Sequence, residues 1–236
     1  MNKKMILRAL LVTAIMGVIV VPGFAAPIAL TTNVGCVGGG GTVVCNVDDK
    51  MTYLLNAGPF NGTTFPVDGV NPLVIDLQTV GGLGLATGDI LRITAEGDLC
   101  FNNGSSCQAP SFGAVFSSTN LLDNNNLLLN RVTNALNAPA GTTAAPDAGT
   151  TTNGGFATNI AQDFLIFQGS GTQFTMPNIG VYRYLFIGIL DRLYGDNSDL
   201  DNNLQVRLSV VPEPGTYGLL LSGLGALIAF RRYRKN

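Results

Sequence analysis

Residues 191–203 read Asp191-Arg192-Leu193-Tyr194-Gly195-Asp196-Asn197-Ser198-Asp199-Leu200-Asp201-Asn202-Asn203. Four carboxylates and three carboxamides within 13 residues are a dense supply of hard oxygen donors, the donor type that calcium takes. The stretch is not an EF-hand, because no glycine stands at the sixth place from Asp196 or Asp199 and no glutamate closes it. Aspartate and asparagine are also preferred turn residues, so a solvated polar hairpin is the competing reading of the same residues.

Other chemistries are narrowed by what the chain lacks. It has no histidine, which removes Ser-His-Asp triads, Cys-His pairs and histidine-based zinc sites. Glu96 and Glu213 are the only glutamates, and no spacing singles out the carboxylate pair a glycosidase needs. The expectation is a protein that is not an enzyme. The four cysteines, Cys36, Cys45, Cys100 and Cys107, read as disulfides in an exported domain. Neither pair has C-x-x-C spacing, which disfavours zinc. Four cysteines allow three pairings; the expected one is local, Cys36–Cys45 with Cys100–Cys107, closing two short loops.

Both ends read as targeting segments. Lys3, Lys4 and Arg8 precede an apolar stretch from Ala9 to Val21, Pro22 breaks it, and Gly23-Phe24-Ala25 sets small residues before a cut at Ala26. This order of parts predicts a signal peptide over residues 1–25. At the other end, Val211-Pro212-Glu213-Pro214 leads into an apolar stretch, 216–230, and a basic cluster, 231–235. As a helix that stretch is about 22 Å long, short of the roughly 30 Å hydrocarbon core, so it is a marginal transmembrane helix. The terminal arginines stay cytoplasmic by the positive-inside rule, which leaves the body, residues 26–209, outside.

The tail, 210–236, closely resembles the PEP-CTERM sorting signal: Pro212-Glu213-Pro214, a short apolar helix and a terminal arginine cluster, in that order. The same tail is also called an ice-binding protein C-terminal domain, but the body has no Thr-x-Thr ladder. The resemblance implies an exosortase-type sorting protease as partner and membrane attachment through the C-terminal helix before processing. It further implies a destination at the cell surface or in a biofilm matrix of extracellular polysaccharide.

The body must supply the scaffold. It is acidic: six basic against 14 acidic side chains leave it at −8, although the whole chain is −2. Such a surface repels phosphate backbones, so nucleic acid is not an expected partner. Short β-type runs recur between turn clusters, at 51–55, 73–77, 90–95, 112–116, 164–168, 183–190 and 204–211. In Ile90–Ala95 and Leu204–Val210 apolar and polar residues alternate, as strands wet on one face do. The pattern predicts one all-β sandwich. Gly38–Gly41 reads as a flexible loop, 134–155 as a long surface loop without core residues, and 121–136 as a short helix.

A second resemblance bears on the Asp/Asn cluster. Thr87-Gly88-Asp89-Ile90-Leu91-Arg92-Ile93-Thr94-Ala95-Glu96-Gly97 is similar to a strand of the PA-IL-type galactose-binding lectins, and Arg183–Leu208 resembles their final hairpin. That family is a jelly-roll-like sandwich whose calcium bridges protein and sugar hydroxyls. The resemblance implies calcium ligands at Asp196 and Asn197, at Asp191 less closely, and at the backbone carbonyl of Phe101. The family's threonine ligand and its sugar-contacting His and Gln segment have no counterpart. Tryptophan is absent, leaving Tyr53, Tyr182, Tyr184 and Tyr194 as surfaces for stacking on a sugar. The functional expectation is a surface or matrix module that binds calcium or carbohydrate; the rivals are a ligand-free structural matrix protein and a glycosidase.

Overall fold

The computed structural model describes residues 26–53, 59–60, 63–64, 70–101, 104, 106–123, 131–145, 162–190, 197–212, 222–226 and 230–231. Nine strands build its two main sheets: β1 (Cys36–Gly39), β2 (Thr42–Asn46), β3 (Leu73–Asp76), β4 (Ile90–Glu96), β5 (Phe112–Ser117), β6 (Phe164–Ile166), β7 (Thr172–Thr175), β8 (Tyr184–Ile189) and β9 (Gln205–Val211). One sheet has the order β7-β4-β9-β2-β1 and the other β6-β5-β8-β3, with every neighbouring pair antiparallel. Two-residue strands extend the second sheet, Thr143–Ala144 beside β6 and Ala135–Leu136 beside β5.

Side-chain alternation explains how the sheets meet. Leu91, Ile93 and Ala95 of β4, Val206 and Leu208 of β9, and Val43 and Cys45 of β2 point one way and are buried. They share one core with Phe112, Ala114 and Phe116 of β5, Leu185, Ile187 and Ile189 of β8, and Leu73 and Ile75 of β3. Phe116 stacks on Phe164 at 5.5 Å and meets Phe174 of the facing sheet edge-on at 5.6 Å. Arg207 and Glu96 pair on the outer, wet face of the first sheet.

The second sheet is buried on both sides, because its other face carries Val74, Val115, Leu165 and Phe186. Tyr53, Leu122, Val132, Ala145 and Leu190 cover that face. Gly113 and Gly188 are opposite one another on β5 and β8 and leave room for the segment Met51–Tyr53. A Cβ on Gly188 would come within 2.9 Å of the Thr52 Cα. The Ile189 N–H donates to the Met51 carbonyl at 2.7 Å, holding the segment down.

Six of the seven expected strands are present, within a few residues of their predicted ends. The run at 51–55 is not: Met51 makes an isolated bridge to Val70, and Tyr53 is buried as cover for the second sheet. Residues 54–55 lie outside the described residues. The expected loop at Gly38–Gly41 is instead the end of β1 and a two-residue turn into β2, with Gly40 at φ +62° and Gly41 at φ +80°. Positive φ at both central residues is the hairpin turn whose twist matches its strands.

The predicted helix at 121–136 is overturned where it is described. Leu121–Leu122 pairs with Ile28–Ala29, and Ala135–Leu136 pairs with β5, so strand ends satisfy the apolar spacing. The stretch 134–155 does reach the core, since Ala145 is buried and Leu136 and Ala138 pack against it. The expected signal peptide, residues 1–25, lies outside the described residues. In the tail, 222–226 and 230–231 are helical, and among the described residues no helix is long and apolar enough to cross a membrane.

Candidate functional site

The end of the sandwich that carries the β8–β9 connection gathers three chain segments. The first follows β2, the second is the small hairpin Leu99–Phe101 with Ser106–Gln108, and the third is the described half of the Asp/Asn cluster. Both local disulfides expected from the spacing are formed: Cys36–Cys45 across β1 and β2, and Cys100–Cys107 across the small hairpin. In each case the cysteines are direct cross-strand partners, with Cα atoms 4.0 and 3.8 Å apart.

The small hairpin is stitched to the cluster. Cys100 and Ser198 exchange backbone hydrogen bonds at 3.0 and 2.9 Å. That antiparallel bridge brings Phe101 opposite Asn197. Two residues before Cys100, at Asp98, Asn203 accepts from the backbone N–H at 2.9 Å and donates to the carboxylate at 3.0 Å. Gly97, at φ +92°, permits this approach, because a Cβ there would overlap Asn203.

The cluster divides into two halves with different chemistry. From Asp199 onward it is a self-satisfied turn. The Asp199 carboxylate accepts the Asn203 N–H at 3.1 Å and the Leu204 N–H at 3.0 Å, and the Asp201 carboxylate accepts from the Asn203 amide at 2.7 Å. Asn202 takes the left-handed conformation at φ +56°, which asparagine tolerates better than most residues. For these residues the turn reading holds.

Asn197 behaves otherwise. It is only 5 % exposed, and its amide N–H donates to the Asp49 carbonyl at 3.1 Å. Its carboxamide oxygen is buried and has no hydrogen-bond partner among the described residues. Rotating the amide by 180° would set that oxygen against the Asp49 carbonyl, acceptor to acceptor, so the orientation is fixed by its one bond. The neighbouring Ser198 hydroxyl is likewise buried without a partner among the described residues. Asp191 and Asp196, the other two candidate ligands, lie outside the described residues, as does Tyr194.

Between the loop after β2 and the turn at 199–204 opens a cavity of about 310 Å³, lined by Asn46, Asp48, Asp49, Asp199 and Asn202 among others; Asn197 is not in its lining and reaches it only through the Asp49 carbonyl. Sequence reasoning did not connect Asp48 and Asp49 with the cluster, 148 residues away; only the β2–β9 pairing brings the two loops together. Burial pushes the Asp49 carboxyl up, and the neighbouring Asp48 carboxylate adds to the rise; Lys50 and the Asp199 N–H pull the other way. The tyrosines are less available than their count suggests. Tyr53 is fully buried, Tyr182 packs edge-on against Phe116, and the Arg183 guanidinium lies over the Tyr184 ring at 4.9 Å.

Of the sorting motif, Pro212 is described and follows β9 directly, whereas Glu213 and Pro214 lie outside the described residues. Residues 210–235 match the model of the PEP-CTERM protein-sorting motif. That match implies export, sorting to the cell surface and processing by an exosortase. No curated protein and no solved structure matches the chain.

Proposed function

We propose that the body delivered by this sorting tail is a non-enzymatic calcium- and carbohydrate-binding module on a jelly-roll sandwich. Asp191, Asp196 and Asn197 supply side-chain oxygens to the cation. The fold part of this reading is supported by strand order. Leaving β1 aside and counting the eight remaining strands in sequence, the sheets run 1-8-3-6 and 2-7-4-5, the arrangement of two interlocked Greek keys that makes a jelly roll.

The observation that carries the ligand reading is the Asn197 oxygen. A buried carboxamide oxygen without a donor costs about 1–3 kcal/mol, and a hard cation removes that penalty by coordinating it. The register sets Phe101 opposite Asn197 but turns its carbonyl toward Ser106 of the small hairpin, so the cation reading rests on side-chain oxygens. The acidic walls nearby favour a cation over an anion. Calcium held in this way presents open coordination positions to vicinal hydroxyls, which suits an extracellular polysaccharide.

The rival reading, a ligand-free structural matrix protein, draws support from the self-satisfied turn Asp199–Leu204. Calorimetric titration of the full-length, detergent-solubilised protein with calcium chloride separates the two. One saturable site, lost in Asp196→Ala with Asn197→Ala, is the expected result, and glycan screening in calcium would follow. Absence of binding heat in the wild type would move the assignment to the structural protein.

A further inference from the structure

We infer that the Cys100–Cys107 disulfide is a redox-sensitive latch on the loop 197–203, releasable by a dithiol reductant without loss of the two-sheet core. The hairpin it closes stands outside both main sheets and has only three residue pairs. A two-stranded hairpin of that size is marginal on its own in water. Its two strands are held very differently. Leu99, Cys100 and Phe101 are buried, whereas Ser106, Cys107 and Gln108 are all exposed and, among the described residues, pair only with the first strand. The outer strand therefore depends on its three-pair ladder and on the disulfide.

The hairpin is also a wall of the loop. Cys100 carries the backbone bridge to Ser198, and a Cβ on Gly104 in the hairpin tip would lie 3.6 Å from Leu200 and 3.7 Å from the Ser198 hydroxyl. The tip thus stands close beside Leu200, a side chain 71 % exposed. Freeing the outer strand takes the tip off Ser198 and Leu200 and leaves the Cys100–Ser198 bridge at a sheet edge. The Cys36–Cys45 bond lacks this leverage. Its hairpin has four paired positions and a well-matched turn, with β9 on one side and the Gly41 N–H donating to Gly82 on the other.

Opening the latch is ordinary thiol–disulfide exchange. A thiolate of the dithiol attacks one sulfur, the S–S bond breaks, and the other cysteine leaves as a thiolate that takes up a proton. The second thiol of the reagent then closes on the mixed disulfide, so the reagent is oxidised to a cyclic disulfide and both cysteines end as thiols.

The test is amide hydrogen exchange on the full-length protein in detergent, without added calcium, for the wild type, C100S/C107S and C36S/C45S. Expected is exchange about tenfold faster over 198–202 in C100S/C107S alone, with β4 and β5 unchanged, as local opening requires. Unchanged protection of 198–202 in that variant would overturn the proposal, as would a rise shared with β4 and β5. Treating the wild type with dithiothreitol should reproduce the pattern and reoxidation should restore it; failure to reverse would also overturn it. The latch is read without the metal, so its failure and that of the cation reading are distinguishable. Lost calcium binding in C100S/C107S alone extends the latch to the ligand, whereas faster loop exchange in C100S/C107S together with a wild type that binds no calcium sinks only the cation.

Discussion

Arg183→Ala removes one half of the best-formed ion pair in the structure, and its cost can be worked from the contacts. The Arg183 guanidinium grips the Asp76 carboxylate in a fork, Nη2 to one oxygen at 2.7 Å and Nε to both at 3.1 and 3.2 Å. Asp76 is 4 % exposed, while more than a third of the Arg183 side chain reaches solvent. After the substitution the buried Asp76 carboxylate keeps the Gln78 N–H and the Thr79 hydroxyl but loses its charge partner. A buried charge stranded in this way costs about 3–5 kcal/mol, and water entering from the vacated arginine side lowers that to roughly 2–3 kcal/mol. The expected loss at pH 7 is roughly 4–12 °C in melting temperature for a body of this size. Burial works against ionisation of Asp76, yet the Arg183 fork, the Gln78 N–H and the Thr79 hydroxyl outweigh it and hold its carboxyl below the usual range. Asp76 therefore stabilises the fold above its unfolded pKa of about 4, and that contribution fades as pH falls through the lower folded value. The gap between wild type and Arg183→Ala should therefore narrow as pH falls through that lowered folded value. Melting of both proteins and of Asp76→Asn with and without Arg183→Ala reads the coupling directly. A loss under 1 kcal/mol, or an equal cost of Arg183→Ala in the Asp76→Asn background, would refute the reasoning.

Gly188→Ala should lose about 1–3 kcal/mol in chemical denaturation, because the new methyl meets the backbone of Met51–Tyr53. Gly39→Ala, whose Cβ would meet nothing within 4 Å, should stay within about 0.5 kcal/mol. Asp49→Asn should raise the melting temperature at pH 7 in chelator. The raised folded pKa of Asp49 means that its ionised form is penalised above its unfolded pKa, and the gain should vanish once pH falls well below the unfolded value of 3.8, where both states carry the proton.

How much of this was legible in the sequence depends on which interactions are local. Alternation in Ile90–Ala95 and Leu204–Val210 gave both the strands and their buried faces, since one wet face leaves a period of two. The same argument failed at 51–55. Tyr53 sits in a layer laid over paired glycines, and that placement depends on β5 and β8 rather than on its own neighbours. The strand β7, four residues long, offered too little pattern, although Thr172 and Phe174 face inward as its letters suggest. Gly38–Gly41 carried a hairpin signal that glycine content alone obscured; the flanking Cys36 and Cys45, equidistant from Gly40-Gly41, were the clue to register. At the candidate site, Asn197 was reached through a resemblance. The turn role of Asp199–Asn203 followed from residue type, and the approach of Asp48 and Asp49 was invisible because strand pairing alone produces it.

Thermal melting of the full-length protein in detergent, with calcium and with chelator, tests the central claim most directly. A cation that binds only the folded state adds about 2.7 kcal/mol at a hundredfold excess over its Kd, which at this size is a rise of roughly 5–11 °C. The account predicts such a rise in the wild type and none in Asp196→Ala with Asn197→Ala. No rise at millimolar calcium, or the same rise in the double variant, would contradict it.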